Sequence, residues 1–307
     1  YDPTCGSGGL LIKARLHFER ENPDKKTQAP RLYGQELNPV TYAMAKMNMF
    51  LHDFTDSHFA IGDTFRRPGF GAKGAGLQRF DYVVANPMWN QDNYDDEFYD
   101  NDPWERFGKN PPGSTADWAW AQHIVASLKN GGRAAVVFDT GAVSRGSGSK
   151  NANREREIRK QFVEADWIEA VVLLPENLFY NTSAPGVIIV FNRQKTEDRR
   201  GEVLLINASR LFEKGKPKNF LTKDGIDSVA RVFTEWRNEE GLSNRVSLEK
   251  ARKIDYNLSP SLAVGVGDVV EHRMVAEIVE DLKVARATRE EADQELSRVL
   301  GLLQVQI

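Results

Sequence analysis

A chain of 307 residues, 40% hydrophobic and 28% charged, is long enough for one large domain and an appendage, while its short apolar runs, such as Ala170 to Leu174, offer no membrane span or secretory signal. Without either signal the chain reads as cytoplasmic; its single cysteine, Cys5, excludes an internal disulfide and a thiolate metal cluster, and His17, His52, His58, His123 and His272 lack metal-ligand spacing, so no metal is expected. A net charge of −3 argues against unaided grip on nucleic acid, because phosphate contacts need clustered lysine and arginine.

The chain opens on Tyr1-Asp2-Pro3-Thr4-Cys5-Gly6-Ser7-Gly8-Gly9, an acid before a Gly-rich turn that runs into an amphipathic helix over about 8–20. Glycines there let backbone approach a ligand, and the free N–H groups of the new helix favour a carboxylate. The spacing is not G-x-G-x-x-G, so a smaller ligand whose amine bonds Asp2 fits better than a dinucleotide. A strand over 31–36 ends in Glu36, where an acid can accept from ribose hydroxyls, and Asn38 starts a helix to about Leu51. A third strand ends at Asp63 and Thr64, placing Asp63 where it could accept from an adenine amino group.

The run Arg79 to Ala85 is β-branched and apolar enough for a buried strand, and Pro87, which cannot donate to a ladder, stops it and presents Asn86 at its carboxyl end. Asn86, Pro87 and Trp89 together could hold a planar amine, through an amide, a bent backbone carbonyl and a flat π face. Residues 90–114 carry seven acids against Arg106 and Lys109 and read as a long polar loop that is either mobile or ordered over substrate. A helix over 115–128 and a strand over 133–138 continue the β-α alternation, with Asp117 either facing the site or serving its helix N-terminus. Arg145, Lys150 and Arg154, in a basic stretch after a Gly/Ser run, are the candidate phosphate contacts. Strands over 167–174 and 186–192 complete the sheet, with 202–206 as its edge.

Two motifs, Asp2-Pro-Thr-Cys-Gly-Ser-Gly-Gly9 and Asn86-Pro-Met-Trp89, resemble those of the methyltransferases that use S-adenosylmethionine to methylate adenine N6 in DNA. The stretches Ala116 to Trp120, Gly131 to Val137, Leu174 to Tyr180 and Asp255 to Pro260 narrow the resemblance to the modification subunit of type I restriction-modification systems. It implies a doubly wound, mainly parallel Rossmann-like sheet over 1–207 and a helical region over 208–307. It also implies that Asp2 to Gly9, Glu36, Asp63, Thr64 and Asn86 hold S-adenosylmethionine, and that Asn86, Pro87 and Trp89 act on a flipped adenine of double-stranded DNA. A helix over about 268–304, with Val275, Ile278, Leu282, Ala285, Arg289, Ala292, Leu296, Val299 and Leu303 on one seam, would engage the DNA-specificity subunit, and a restriction subunit would complete the assembly. Met88 stands where the family usually has a second proline, and the family's N-terminal helical domain and most of its first strand are expected outside this chain. Protein glutamine N5-methylation, or a catalytically inactive cofactor-binding scaffold, are the alternatives.

Overall fold

The structure is a computed structural model that describes residues 1–72, 76–92, 94, 99, 102–107, 115–151 and 153–265, with residues 283, 286, 287, 289, 290 and 292–294 beyond them. In chain order come α1 (Gly9–Glu21), β1 (Tyr33–Glu36), α2 (Pro39–Leu51), β2 (His58–Ile61), the small ribbon β3 (Gly71–Ala72) and β4 (Gly76–Leu77), β5 (Phe80–Ala85), α3 (Asp117–Ala126) and β6 (Leu128–Asp139). Then follow α4 (Arg154–Glu164), β7 (Ile168–Leu173), β8 (Gly186–Asn192), β9 (Glu202–Asn207), the pair β10 (Phe212–Glu213) and β11 (Phe220–Leu221), α5 (Lys223–Glu235), β12 (Ser243–Ser247), α6 (Leu248–Lys253) and α7 (Pro260–Ala263).

Six strands pair in the order β12-β9-β7-β8-β6-β5, and β1 pairs with β2. Tyr1 and Asp2 join the two sets. Tyr1 N donates to the Tyr82 carbonyl (2.8 Å), Val84 N–H donates to Tyr1 O (2.9 Å), and Asp2 exchanges backbone bonds of 2.9 Å with Tyr33 and Gln35. The ladder signs leave only β8 and β12 running against the rest, so the sheet is mainly parallel. From Tyr1–Asp2 the chain moves outward one way through β1 and β2, then returns on the other side with β5. Sheets of this kind bind ligands in the crevice at such a reversal, here between the carboxyl ends of Tyr1–Asp2 and β5.

Alternation along the strands explains why helices cover both faces. In β5, Val83 and Ala85 face the cluster built with Trp118, Ile124 and Phe162 of α3 and α4, whereas Val84 packs with Leu11, Ile12 and Met49 of α1 and α2. In β9, Val203 and Leu205 take the first face and Leu204 and Ile206 the second, against Val232 and Trp236. Period-2 patterning with both faces apolar is what a central strand requires. Asn38 caps α2 by accepting from Val40 N (2.9 Å) and Thr41 N (3.3 Å), with Pro39 at the first helical position.

Three expectations are corrected. Residues 208–265 belong to the sheet domain: Tyr1–Gly265 forms one compact unit and Val266–Ile307 another. The edge strand is β12, antiparallel to β9, which lies one strand inside it. Val246 and Val232 are fully buried, and burying such a side chain stabilises by about 1.5–3 kcal/mol, enough to hold a charged segment onto the sheet. The third correction concerns residues 90–114, whose described part includes core: Tyr99, Arg106 and Phe107 are buried, and Arg106 pairs with Asp102 at 2.9 Å while donating to Thr64 O. Most of the helix expected over 268–304 lies outside the described residues.

Candidate active site

The Gly-rich turn is held from several sides. Cys5 N–H donates to Gln35 O and Gly8 N–H to Cys5 O, Asn48 Nδ2 donates to Ser7 O at 2.9 Å, and the Thr64 hydroxyl donates to Pro3 O at 2.7 Å. Gly6 sits at φ +54° and gives its N–H to Glu36 Oε2 at 3.0 Å, while Glu36 Oε1 accepts from Asn38 N at 2.8 Å. Gly8 sits at φ +82°, where any L residue would be strained, and a Cβ there would also push the tip of the Met49 side chain aside. At Gly6 and Gly9 a Cβ would meet nothing within 4 Å, so this side of the turn faces open space.

Asp2 is buried, and its carboxylate accepts from Thr4 N at 3.0 Å and from the Thr4 hydroxyl. Burial pushes that carboxyl up to about 7, with the nearby Glu36 charge adding to the rise. Burial likewise pushes the Cys5 thiol up, which makes it an inert packing group. Asp63 is half-exposed and caps its own loop by accepting from Phe65 N (2.8 Å) and Arg66 N (3.3 Å). The Thr64 side chain is committed to bracing Pro3 and is buried, so it supports the turn from behind.

Across the crevice, β5 ends in buried Ala85, exposed Asn86, buried Pro87 and exposed Met88. Trp89 Nε1 donates to Asn86 Oδ1 at 3.2 Å, and because an indole N–H only donates, this fixes which end of the amide faces it. A second lone pair remains on that oxygen. The Trp89 ring meets Phe179 edge-on, centroids 4.8 Å apart and planes at 77°, above Gly186, where a Cβ would lie 2.9 Å from Trp89 Cη2 and 3.0 Å from Phe179 Cε2. From sequence, Asn181 to Gly186 reads as a segment that could shape a base pocket, but neither Phe179 nor Gly186 is diagnostic there by itself. The signal available was the Leu174 to Tyr180 stretch followed by a glycine opening a buried strand.

Arg145 is corrected from a phosphate contact to an internal anchor. Its Nε donates to Glu155 (2.6 Å), Nη1 to Asn90 Oδ1 (2.8 Å) and Asp139 (3.2 Å), and Nη2 to Thr115 Oγ1 (3.3 Å) and Asp117, so all five donors are spent within the fold. Burial raises the Asp117 pKa, and Arg145 opposes that rise. Arg159 is also buried, donating to Tyr256 O, Ala142 O, Arg145 O and Ser147 Oγ. Asp255 accepts from Gly148 N at 2.7 Å and from Arg156, so the Asp255 to Pro260 stretch pins the loop after β6. Lys150 and Arg154 are exposed and make no ion pair among the described residues.

Residues 1–272 match the family model described as N-6 DNA Methylase. The chain is 36% identical to the type I restriction enzyme MjaVII methylase subunit of Methanocaldococcus jannaschii, over 98% of this chain and 52% of that protein. It is 40% identical to the MjaVIII methylase subunit of the same organism, over 92% and 48%. Among solved structures, the type I restriction-modification system methyltransferase subunit from Streptococcus thermophilus aligns with a TM-score of 0.74 at 32% identity, covering 86% of this chain and 54% of that one. The chain thus spans about half the length of these relatives.

Proposed function

The chain belongs to the N-6 DNA methylase family, and from that premise we propose that it carries the catalytic domain of a type I modification subunit, which methylates adenine N6 in double-stranded DNA using S-adenosylmethionine. The observation that carries the reading is the pairing of two motifs across one crevice. The Asp2 to Gly9 turn and the Asn86 to Trp89 turn follow the two strands that flank the sheet's reversal point.

A zwitterionic adenosyl cofactor suits the first turn. Asp2 would accept from its ammonium, the N–H groups opening α1 would receive its carboxylate, and Glu36 and Asp63 would take the ribose hydroxyls and the adenine amine. The cofactor supplies an electrophilic methyl group on a sulfonium. Asn86 Oδ1, through its remaining lone pair, and the Pro87 carbonyl would accept the two hydrogens of the target amine and hold its nitrogen toward that methyl. They would also stabilise the positive charge that grows on the nitrogen as the C–N bond forms and the C–S bond breaks, the bonding pair staying on the sulfur, which becomes a neutral thioether. Asn86 is not a base, so the surplus proton leaves to water. The target adenine must leave the base stack to be reached, and Trp89, buttressed by Phe179, offers it a π face. Lys150 and Arg154 are the candidate phosphate contacts, and a specificity subunit would supply the rest of the DNA grip. The test is transfer of tritium from labelled S-adenosylmethionine to duplex DNA by this protein assembled with its specificity subunit. Label arriving in protein instead would overturn the reading.

Cofactor affinity should depend on pH through Asp2. With its carboxyl near 7, about 3% is ionised at pH 5.5 and about half at pH 7, while an α-ammonium stays cationic across that window. Only the ionised form attracts the ammonium, so affinity should rise roughly 15-fold between pH 5.5 and 7. Calorimetry on wild type and Asp2→Asn checks this, and a flat wild-type profile would remove Asp2 from the cofactor site. Gly186→Val should displace Trp89 from its place over Gly186 and weaken the hold on DNA by roughly 1–3 kcal/mol, the scale of one base-aromatic stack, read as a raised KM for DNA. An unchanged KM would show that the Trp89–Phe179 pair does not meet the base.

A further inference from the structure

The proposed chemistry depends on where Asn86 points, and strand pairing secures only one end of its turn, through Ala85 opposite Val136. The other end is Asn90. It sits at φ +52°, a conformation that L side chains rarely adopt, and is held there by two contacts from the same pair of residues. Asn90 N–H donates to Asp117 Oδ1 at 3.1 Å, and Asn90 Oδ1 accepts from Arg145 Nη1 at 2.8 Å. One residue on, Gln91 O accepts from Ala116 N at 2.8 Å, at the start of α3.

Arg145 and Asp117 also bind each other, so the latch is a closed ring of three residues from three segments. The glycine at 141 makes room for it. A Cβ there would lie 2.5 Å from Arg145 Nη1 and 2.7 Å from Asp139 Oδ1. The Asp139 and Glu155 carboxylates hold the guanidinium at 3.2 Å and 2.6 Å, and Arg159 grips its backbone carbonyl at 2.9 Å. A planar fork aimed this way does what a point charge cannot: it reaches three carboxylates and a neutral amide oxygen at once.

We propose that Arg145, with Asp117, is a positioning residue that latches the exit of the Asn86 to Trp89 turn through Asn90 and so sets the angle at which Asn86 meets the target amine. This rests on the adenine methyltransferase reading. Misplacing a reacting group by about 1 Å can cost about 10²-fold in rate.

The test uses the complex assembled with the specificity subunit, tritiated S-adenosylmethionine and duplex DNA, with kcat, KM for DNA, its salt dependence and the melting temperature all measured. Arg145→Lys keeps the charge but not the fork, and kcat is expected to fall about 10- to 100-fold at unchanged KM and salt slope. Asn90→Gly keeps the left-handed backbone and deletes only the acceptor, and kcat is expected to fall about tenfold at unchanged melting temperature. Two results would overturn the inference. One is an Arg145→Lys enzyme with wild-type kcat, or one whose defect is a raised KM with a salt slope reduced by about 1, which is the mark of a phosphate contact. The other is wild-type kcat in Asn90→Gly. A wild-type complex that transfers no methyl group to DNA would instead overturn the underlying reading, and the inference with it.

Discussion

Asn86→Ala is expected to lower methyl transfer to DNA by about 10²–10³-fold, equivalent to about 2.7–4 kcal/mol, the cost of removing one preorganised group that stabilises developing charge. Although the family resemblance also counts Asn86 among the cofactor contacts, cofactor affinity should change little, because Asn86 is exposed at the end of β5 and the Asp2 to Gly9 turn is held by Gln35, Glu36, Asn48 and Thr64 without it. Stability should also hold. The Asn86 side chain makes one described contact, the 3.2 Å bond from Trp89 Nε1, and an exposed position lets water replace it. Single-turnover methylation paired with calorimetric titration of S-adenosylmethionine separates these effects. Wild-type turnover in the variant would make the Asn-Pro turn a structural strand stop and would remove its claim on the target amine. A parallel loss of cofactor affinity would place Asn86 on the cofactor side of the crevice.

Much of this site was legible because its signals are local. Proline at 87 must end a strand, Asn38 followed by Pro39 starts a helix, and Glu36 and Asp63 follow short strand-like runs and so fall at or just past a strand's carboxyl end; each follows from a few consecutive residues. Arg145 was misread for the converse reason. Basic residues in a row suggest phosphate, but the carboxylates that absorb this guanidinium lie 28, 6 and 10 residues away, and only the fold brings Asp117, Asp139 and Glu155 together. The same holds for the boundary near 208. Val232, Trp236 and Val246 are isolated apolar positions among charges, and no short window shows that all three close over one sheet face or edge. The bond from Trp89 to Asn86 could have been suspected from a spacing of three, yet its direction depends on a turn geometry that sequence does not print.

Deleting residues 270–307 is expected to leave cofactor affinity within about twofold of wild type and to abolish co-elution with the specificity subunit, and with it sequence-specific methylation. The first half follows from where the sheet domain closes. Leu258 and Val264 are buried, and Tyr1–Gly265 is a compact unit to itself, so a chain ending at 269 keeps every core residue of that unit. The second half follows from the sequence of the rest. Nine positions from Val275 to Leu303 recur at alternating spacings of three and four, the pattern of a helix that buries one seam against another helix. Among the described residues of that segment, 283, 286, 287, 289, 290 and 292–294 are helical, and Arg289 reaches Asp293 one turn on at 3.4 Å with both side chains exposed. Such an exposed pair contributes about 0.3–0.5 kcal/mol, and the apolar seam is the surface that a partner helix would bury. Ala285, Arg289 and Ala292 make a thin seam that a partner helix with bulk and an acid would complete. A chain with net charge −3 would then reach DNA through that partner's cations as well as its own Lys150 and Arg154. Size-exclusion chromatography of the truncated protein with the specificity subunit decides the matter. Co-elution as a stable complex would show that the segment is not the docking element and that the sheet domain carries the contact itself.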